Sequence, residues 1–440
     1  ETAVISVSNQ TVYLKVSGKQ LQSVSVTSTA TPATTAAKNT VDLRALSKTV
    51  SVSFAGSKDN TTLLLPDAVQ AEGVGTLVGA TVVDDVEGDT YATGNVTVNA
   101  DVSLSADGVL TLTATSPVLV NYGTIGAVNH TGTGTLTIYN VREDAKIGDV
   151  TSAGTITVGA SAKTQETAAE SVGNKGVLGD LSAAGSVTIY RNAQGAKIGS
   201  VTSKTSNIII GQSDSSNEAV RDYNTNAGTV GSVDAGLAVY VRSVTAGSVA
   251  AGEGELVKAG TSVTVGTATV QNANTVGDIE AGTSVSIYNA AQGSTGTVKA
   301  GTTVAIGTSA LLNEGGVGTV TAGDSAGTTV TVYNGGAQLG GISAKSGSIS
   351  IAANKGQIGA VDSALSSVAV GSNVKTQQNA GNIVGNEGTI ESLTAGTSVT
   401  IYRNTGGVGA LDAQTSVTIG QGNNASADVR AYNVNSGSIG

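Results

Sequence analysis

Three stretches decide the fold: GDIEAGTSVSIYN at 277–289, TAGDSAGTTVTVYN at 321–334 and ESLTAGTSVTIYRN at 391–404. Each runs through a short apolar segment and a small-residue turn into an alternating strand. In the related GSVTIYRN (185–192), Val187 and Ile189 face one way, and Thr188 and Tyr190 the other. One face is therefore buried and the other is wet. Val, Ile and Thr hold the backbone extended. Helical spacing is not sustained anywhere in this region.

The phrase returns from about residue 118 onward, for example as GSVTS at 199–203. Self-similarity at a period of about 20–30 residues is the mark of a solenoid. The expected fold is all-β: a single-chain parallel β-helix (β-solenoid) with long loops on one edge and a small N-terminal β cap. About 13–14 coils are expected over residues 93–440. Coils rise roughly 4.8 Å each, so the stack is on the order of 60 Å long. Ladders of small aliphatics would supply most of its stability, each contributing about 1.5–3 kcal/mol as an upper value. All three prolines (Pro32, Pro66, Pro117) precede the repeat. Later strands must donate hydrogen bonds to their neighbours, which proline cannot do.

Residues 1–92 read differently. Alternating strands such as AVISVSNQTVYLKV (3–16) and KTVSVSFAG (48–56) flank a small-residue loop at 27–40. They are expected to form a β cap or small β-sandwich over the open end of the first coil. Residues 93–121 read as the first, irregular coils. At the other end Gly440 falls inside the repeat phrase with no cap after it. A truncated end or end-to-end self-association is expected there.

The coils alternate in kind. One kind ends its strand in Tyr: Tyr139, Tyr190, Tyr240, Tyr288, Tyr333 and Tyr402. The other has Gly in the equivalent slot and often runs into a polar loop: Gly159, Gly211, Gly266, Gly307, Gly371 and Gly420, with Ala352 in one extra coil. The six Tyr residues are the candidate ligand-binding residues. They would stack outward at about 10 Å intervals, two strand spacings apart. That is close to the disaccharide repeat of a β-1,4-glucan. Sugar faces would stack on the rings while hydroxyls reach Asn, Thr and Ser, and Gly would leave room beside each ring. The competing reading makes the Tyr residues amphipathic plugs at the core edge, beneath loops such as 160–175, 212–229 and 421–436. Two of those loops carry a similar phrase, AVRDYN at 219–224 and DVRAYN at 428–433.

Composition narrows the chemistry. There is no Cys, so disulfides, thiolate metal sites and Cys nucleophiles are excluded. The single histidine, His130, cannot build a triad or a His-metal cluster, and its HTGTG context reads as surface loop. Asp149, Asp180, Asp234, Asp278 and Asp362 sit near turns, where Asp usually bonds its own backbone. Catalysis by a carboxylate pair is accordingly not expected. Asp84, Asp85, Glu87 and Asp89 form the densest acidic cluster and are the weak Ca²⁺ candidate, although their spacing matches no EF-hand loop. Gly335-Gly336 and Gly340-Gly341 lack the Lys-Ser/Thr of a phosphate loop. No cofactor and no enzymatic activity are expected. The net charge of −10 and scattered Lys and Arg argue against nucleic acid. No apolar run is long enough for membrane insertion by a helix. Glu1 is expected to be a processed or engineered start, any signal peptide having been removed.

The strands SVTIYRN, SVSIYNA and TVTVYNGG, with their alternating Gly coils and loops, make residues 93–440 resemble the C-terminal β-helix domain of the tāpirins. Those are surface proteins that attach cellulolytic bacteria to crystalline cellulose. The resemblance is architectural, and it implies an extracellular, cell-surface protein that binds a polysaccharide surface without catalysis. The alternative from another class is a structural surface-layer, filament or stalk module. A polysaccharide-degrading enzyme is the third.

Overall fold

The computed structural model describes residues 2–7, 13–17, 21, 23–28, 39–43, 51–56, 61–64, 80–82, 90–92, 94–165, 173–323, 327–372 and 384–440. The chain is a parallel β-solenoid of about 15 turns in all. It divides into two compact units, Glu1–Thr205 and Ser206–Gly440, a division inside the repeat.

Most coils contribute three short strands, and in others, such as the one holding Gln357–Ser363, the first two run on as one. In the first unit one coil consists of Lys146–Ile147, Val150–Ser152 and Thr155–Val158. The next consists of Val177–Leu178, Leu181–Ala183 and Val187–Ile189. The first two strands of every coil stack into one parallel sheet (sheet A), and the third into another (sheet B). Register is kept residue for residue: Ile147 lies on Leu178, Val150 on Leu181 and Ile156 on Val187. The second unit repeats the plan, with Val263 on Val285, Val285 on Val304 and Val304 on Val330. These side chains are all 2% exposed or less. The period of 2 predicted from the sequence is thus the alternation that fills the core, and a one-residue slip would expose every one of them.

Up to Leu64 the described strands form two three-stranded parallel sheets. One joins Thr2–Val7, Ser23–Ser28 and Ser51–Gly56; the other joins Tyr13–Lys15, Asn39–Asp42 and Thr61–Leu64. Ala80–Val82 and Thr90–Ala92 instead pair with Val96–Val98 and Ser103–Leu112 of the solenoid sheets.

Sheet A bends at a stacked glycine between its two strands. A Cβ on Gly318 would stand 2.8 Å from the backbone carbon of Gly296 in the coil beneath. Only glycine permits that approach. Carboxylates beside the bend tie coil to coil. Asp149 accepts from the amide of Asp180 (2.9 Å), Asp180 from that of Ser200 (2.7 Å), and Asp278 from that of Thr297 (2.7 Å). The sequence predicted self-bonded turn Asp; the observed bonds reach the following coil, because stacking brings its amide to the carboxylate. Asp234 instead pairs with Lys258 at 4.0 Å.

A second polar ladder is fully internal. In the first unit the amide of Asn121 donates to Asn140, Asn140 to Asn174 and Asn174 to Asn192, at 2.9, 2.9 and 2.8 Å. In the second unit Asn334 donates to Asn354, Asn354 to Asn386 and Asn386 to Asn404, at 2.8, 2.8 and 2.7 Å. All these side chains are completely buried. Each amide offers one acceptor and two donors. Stacking satisfies the acceptor and one donor with neighbouring Asn residues. The other donor closes the corner, as Asn386 does on the carbonyl of Gly407 (3.0 Å). The sequence reading put Asn outside among ligand hydroxyls; in these ladders it is core.

His130 also departs from its expected place. It is completely buried at the corner between the sheets. Its Nδ1 is 2.8 Å from Ser152 Oγ, and its Nε2 is 3.0 Å from the carbonyl of Ala114. Later coils place Ala or Ser in that slot, so one large side chain occupies the corner where the first coils are irregular.

Candidate functional site

The inward apolar pair of each sheet B strand fixes which residue follows at its end. Ile138 lies on Val158 and Val158 on Ile189, so Tyr139, Gly159 and Tyr190 share one slot in the first unit. In the second unit Val265 lies on Ile287, Ile287 on Ile306 and Ile306 on Val332, which aligns Gly266, Tyr288, Gly307 and Tyr333. Gly371, Tyr402 and Gly420 continue the slot, whereas a register shift after Val332 lays Tyr333 on Ala353 and leaves Ala352 as the extra residue. Five of the six predicted Tyr residues are half-buried, and Tyr139 is only 8% exposed.

Tyr240 does not belong to the row. Val241, not Val239, lies on Val265, so Tyr240 pairs with Thr264, two residues earlier on the outward face of sheet B. Arg242 takes the end slot, with its guanidinium 4.5 Å from the centre of the Tyr240 ring and paired with Asp214. The apolar pair Val239-x-Val241 carries this register in the sequence itself.

The alternating glycines have a backbone cause. Gly159, Gly211, Gly266, Gly307, Gly371 and Gly420 all have φ between +66° and +84°. That left-handed turn releases the chain into a loop, and side chains other than Gly are strained there. They do not leave open space: a Cβ on Gly307 would lie 2.5 Å from the carbonyl oxygen of Tyr333, and one on Gly371 3.3 Å from Tyr402 Cβ. Tyr therefore marks coils that turn the corner directly, and Gly marks coils that send out a loop.

Two of those loops are versions of one module. After Gly211 and Gly420 each contains a single helical turn and a half, Glu218–Tyr223 (α1) and Ala427–Tyr432 (α2). Asn217 and Ser426 cap them through their side chains. Arg221 and Arg430 reach back to the carbonyls of Ser215 and Asn424. Asn224 and Asn433 donate to Gln212 and Gln421 at 2.8 and 2.6 Å. Gln, Val, Arg, Tyr and Asn recur at the same loop positions, which explains the repeated phrase at 219–224 and 428–433. The exposed positions differ: Glu218 and Asp222 in one are Ala427 and Ala431 in the other. What recurs is the frame of the loop, while its outer surface varies. Tyr432 lies under Arg403, whose guanidinium carbon is 4.9 Å from the ring centre, and partial burial raises its pKa above the ordinary 10.

Of the remaining candidates, Asp84, Asp85, Glu87 and Asp89 lie outside the described residues. Among the described residues no three His, Asp or Glu side chains gather as metal ligands would, and no helix is long and apolar enough to cross a membrane.

No protein-family model, characterised protein or solved structure matches the chain. The tāpirin-like reading thus rests on the architecture and the Tyr-bearing strands of this chain.

Proposed function

We propose that this protein is an extracellular, non-catalytic adhesin of the cell surface that holds an insoluble, cellulose-like polysaccharide on its Tyr-bearing edge. The observation that carries this reading is the recurrence of a half-buried Tyr in one register slot, at Tyr288, Tyr333 and Tyr402 of the second unit and at Tyr190 of the first. Tyr288 and Tyr333 flank Gly307, a separation of roughly 10 Å from two coil rises. A ring anchored at its base and wet at its rim offers a stacking face at little entropic cost. Tyr190, Tyr288, Tyr333 and Tyr402 form the working set. Tyr139 contributes mainly to the core, and Tyr240 stands apart beside Arg242.

The test is retention of the purified chain on crystalline cellulose, with chitin and xylan as controls, beside a Tyr190→Ala/Tyr288→Ala/Tyr333→Ala/Tyr402→Ala variant. Retention that disappears in a folded variant supports the platform. Equal retention by both proteins removes the Tyr row from the mechanism.

One observation favours a structural surface module instead. The outward column Ser262, Ser284, Thr303, Thr329, Ser348 on sheet B is uncharged and small, a face suited to lateral packing between molecules. Absence of binding to every glycan, together with filaments in the electron microscope, would select that reading.

A further inference from the structure

A shallow groove of about 510 Å³ runs along the second unit on a different face from the Tyr row. It follows the corner that leads from sheet A to sheet B. Three successive coils line it with the same three positions: Lys258-Ala259-Gly260, Glu280-Ala281-Gly282 and Lys299-Ala300-Gly301. The registers place Lys258 on Glu280 and Glu280 on Lys299, so the groove is parallel to the stacking direction. The same column holds Asp234 before them and Thr321 after them, each followed by Ala and Gly.

From this geometry we infer that the groove is a second binding site, for a single extended chain of a neutral β-1,4-linked polysaccharide lying along the solenoid. Its floor is Ala and Gly, flat enough for the edge of a sugar ring to approach the backbone. Its wall is a row of long side chains whose charges alternate. The Asp234 and Glu280 carboxylates offset the Lys258 and Lys299 ammonium groups, through pairs of 4.0 and 3.0 Å. A balanced wall on a chain of net charge −10 offers a polyanion no attraction. It does offer donors and acceptors in alternation to hydroxyl groups. These ion pairs are exposed and weak, so they can open toward a ligand at small cost. Like groups recur every second coil, about 10 Å, which is close to the disaccharide length of such a glycan. An extended peptide fits less well. The amides of Gly260, Gly282 and Gly301 already donate to Ala235, Ala259 and Ala281 in the coil beneath, so the corner has no free donors for a peptide backbone.

The inference rests on the proposed function for its ligand class only. Its test is calorimetric titration of the full chain with cellohexaose at 50 and 500 mM NaCl. The variants are Lys258→Ala/Glu280→Ala/Lys299→Ala, the single Glu280→Gln, and Tyr288→Ala/Tyr333→Ala. The Tyr variant, which of the two sites keeps only the groove, is expected to bind without salt dependence. The triple variant is expected to weaken binding about tenfold or more, and Glu280→Gln less. No binding by wild type, or no loss in the triple variant with its circular dichroism and melting curve unchanged, overturns the site. Binding of polygalacturonate that collapses at high salt, in place of cellohexaose, overturns the neutral ligand. Retention on crystalline cellulose without cellohexaose binding leaves the Tyr platform standing and removes the groove. Cellohexaose binding without retention does the reverse.

Discussion

Replacing Asn386 with Ala would open the internal amide ladder at its middle. Asn386 is completely buried. It accepts from Asn354 at 2.8 Å, and donates to Asn404 at 2.7 Å and to the carbonyl of Gly407 at 3.0 Å. Its removal strands one amide oxygen on Asn404 and one carbonyl on Gly407. Asn354 keeps its bond to the carbonyl of Thr389 (3.1 Å). Each buried group left without a partner costs about 1–3 kcal/mol. Two such groups would cost about 2–6 kcal/mol, and water entry into the new space lowers the upper figure to about 5 kcal/mol. Coils contact mainly their neighbours, so the loss is local. The assay is therefore native-state hydrogen exchange, since a single global midpoint need not be defined for a repeat array. Amides of residues 354–372 and 384–407 should exchange about 30- to several-thousand-fold faster, the range those energies imply. Amides before residue 300 should barely change. An outward control, Ser398→Ala, should leave protection unaltered. A change below about threefold at Asn386→Ala would refute the claim that these amides are an energetic spine of the stack.

Two further predictions follow from the site. Gly307→Ala must take φ of +66° with its Cβ 2.5 Å from the Tyr333 carbonyl oxygen, whereas Gly254→Ala takes a similar φ of +75° with nothing within 4 Å. The first should destabilise its coil clearly more than the second, by about 1–3 kcal/mol beyond the shared backbone term, as read by urea unfolding of both variants; equal losses would show that the close approach is relaxed. Burial raises the Tyr432 pKa, with Arg403 pulling the other way. A raised folded pKa means that the stability of this loop is intact below pH 10 and falls as pH rises through the folded value. Ultraviolet titration should show a late-ionising component that falls by one phenol in Tyr432→Phe, and an unchanged late component there would assign it elsewhere.

Much of this was written in local sequence. The alternation in SVTIYRN and SVSIYNA reports which side chains are buried, because a strand has only two faces. The recurrent Gly bends and Ala-Gly corners report the coil, because close stacking excludes Cβ atoms at the bend. The place of Tyr240 outside the row is legible too, since Val239 and Val241 mark the core positions as Val263 and Val265 do. The Asn residues were harder. One Asn after a Tyr at a strand end, as at 288–289 and 333–334, looks like any solvated turn residue. It becomes a core residue only when the coils above and below present the same amide, so that donors and acceptors are matched out of water.

The periodicity of the chain alone determined that it is a parallel solenoid with an aliphatic core, since no other arrangement buries one face of every strand in so regular a repeat. Only the tertiary structure decided that the slot glycines are left-handed loop exits, that His130 is buried and that Asn forms the internal ladders. Each of those depends on what lies one coil away. That neighbour is about 20 or more residues distant in sequence but a single strand spacing, about 4.8 Å, distant in space.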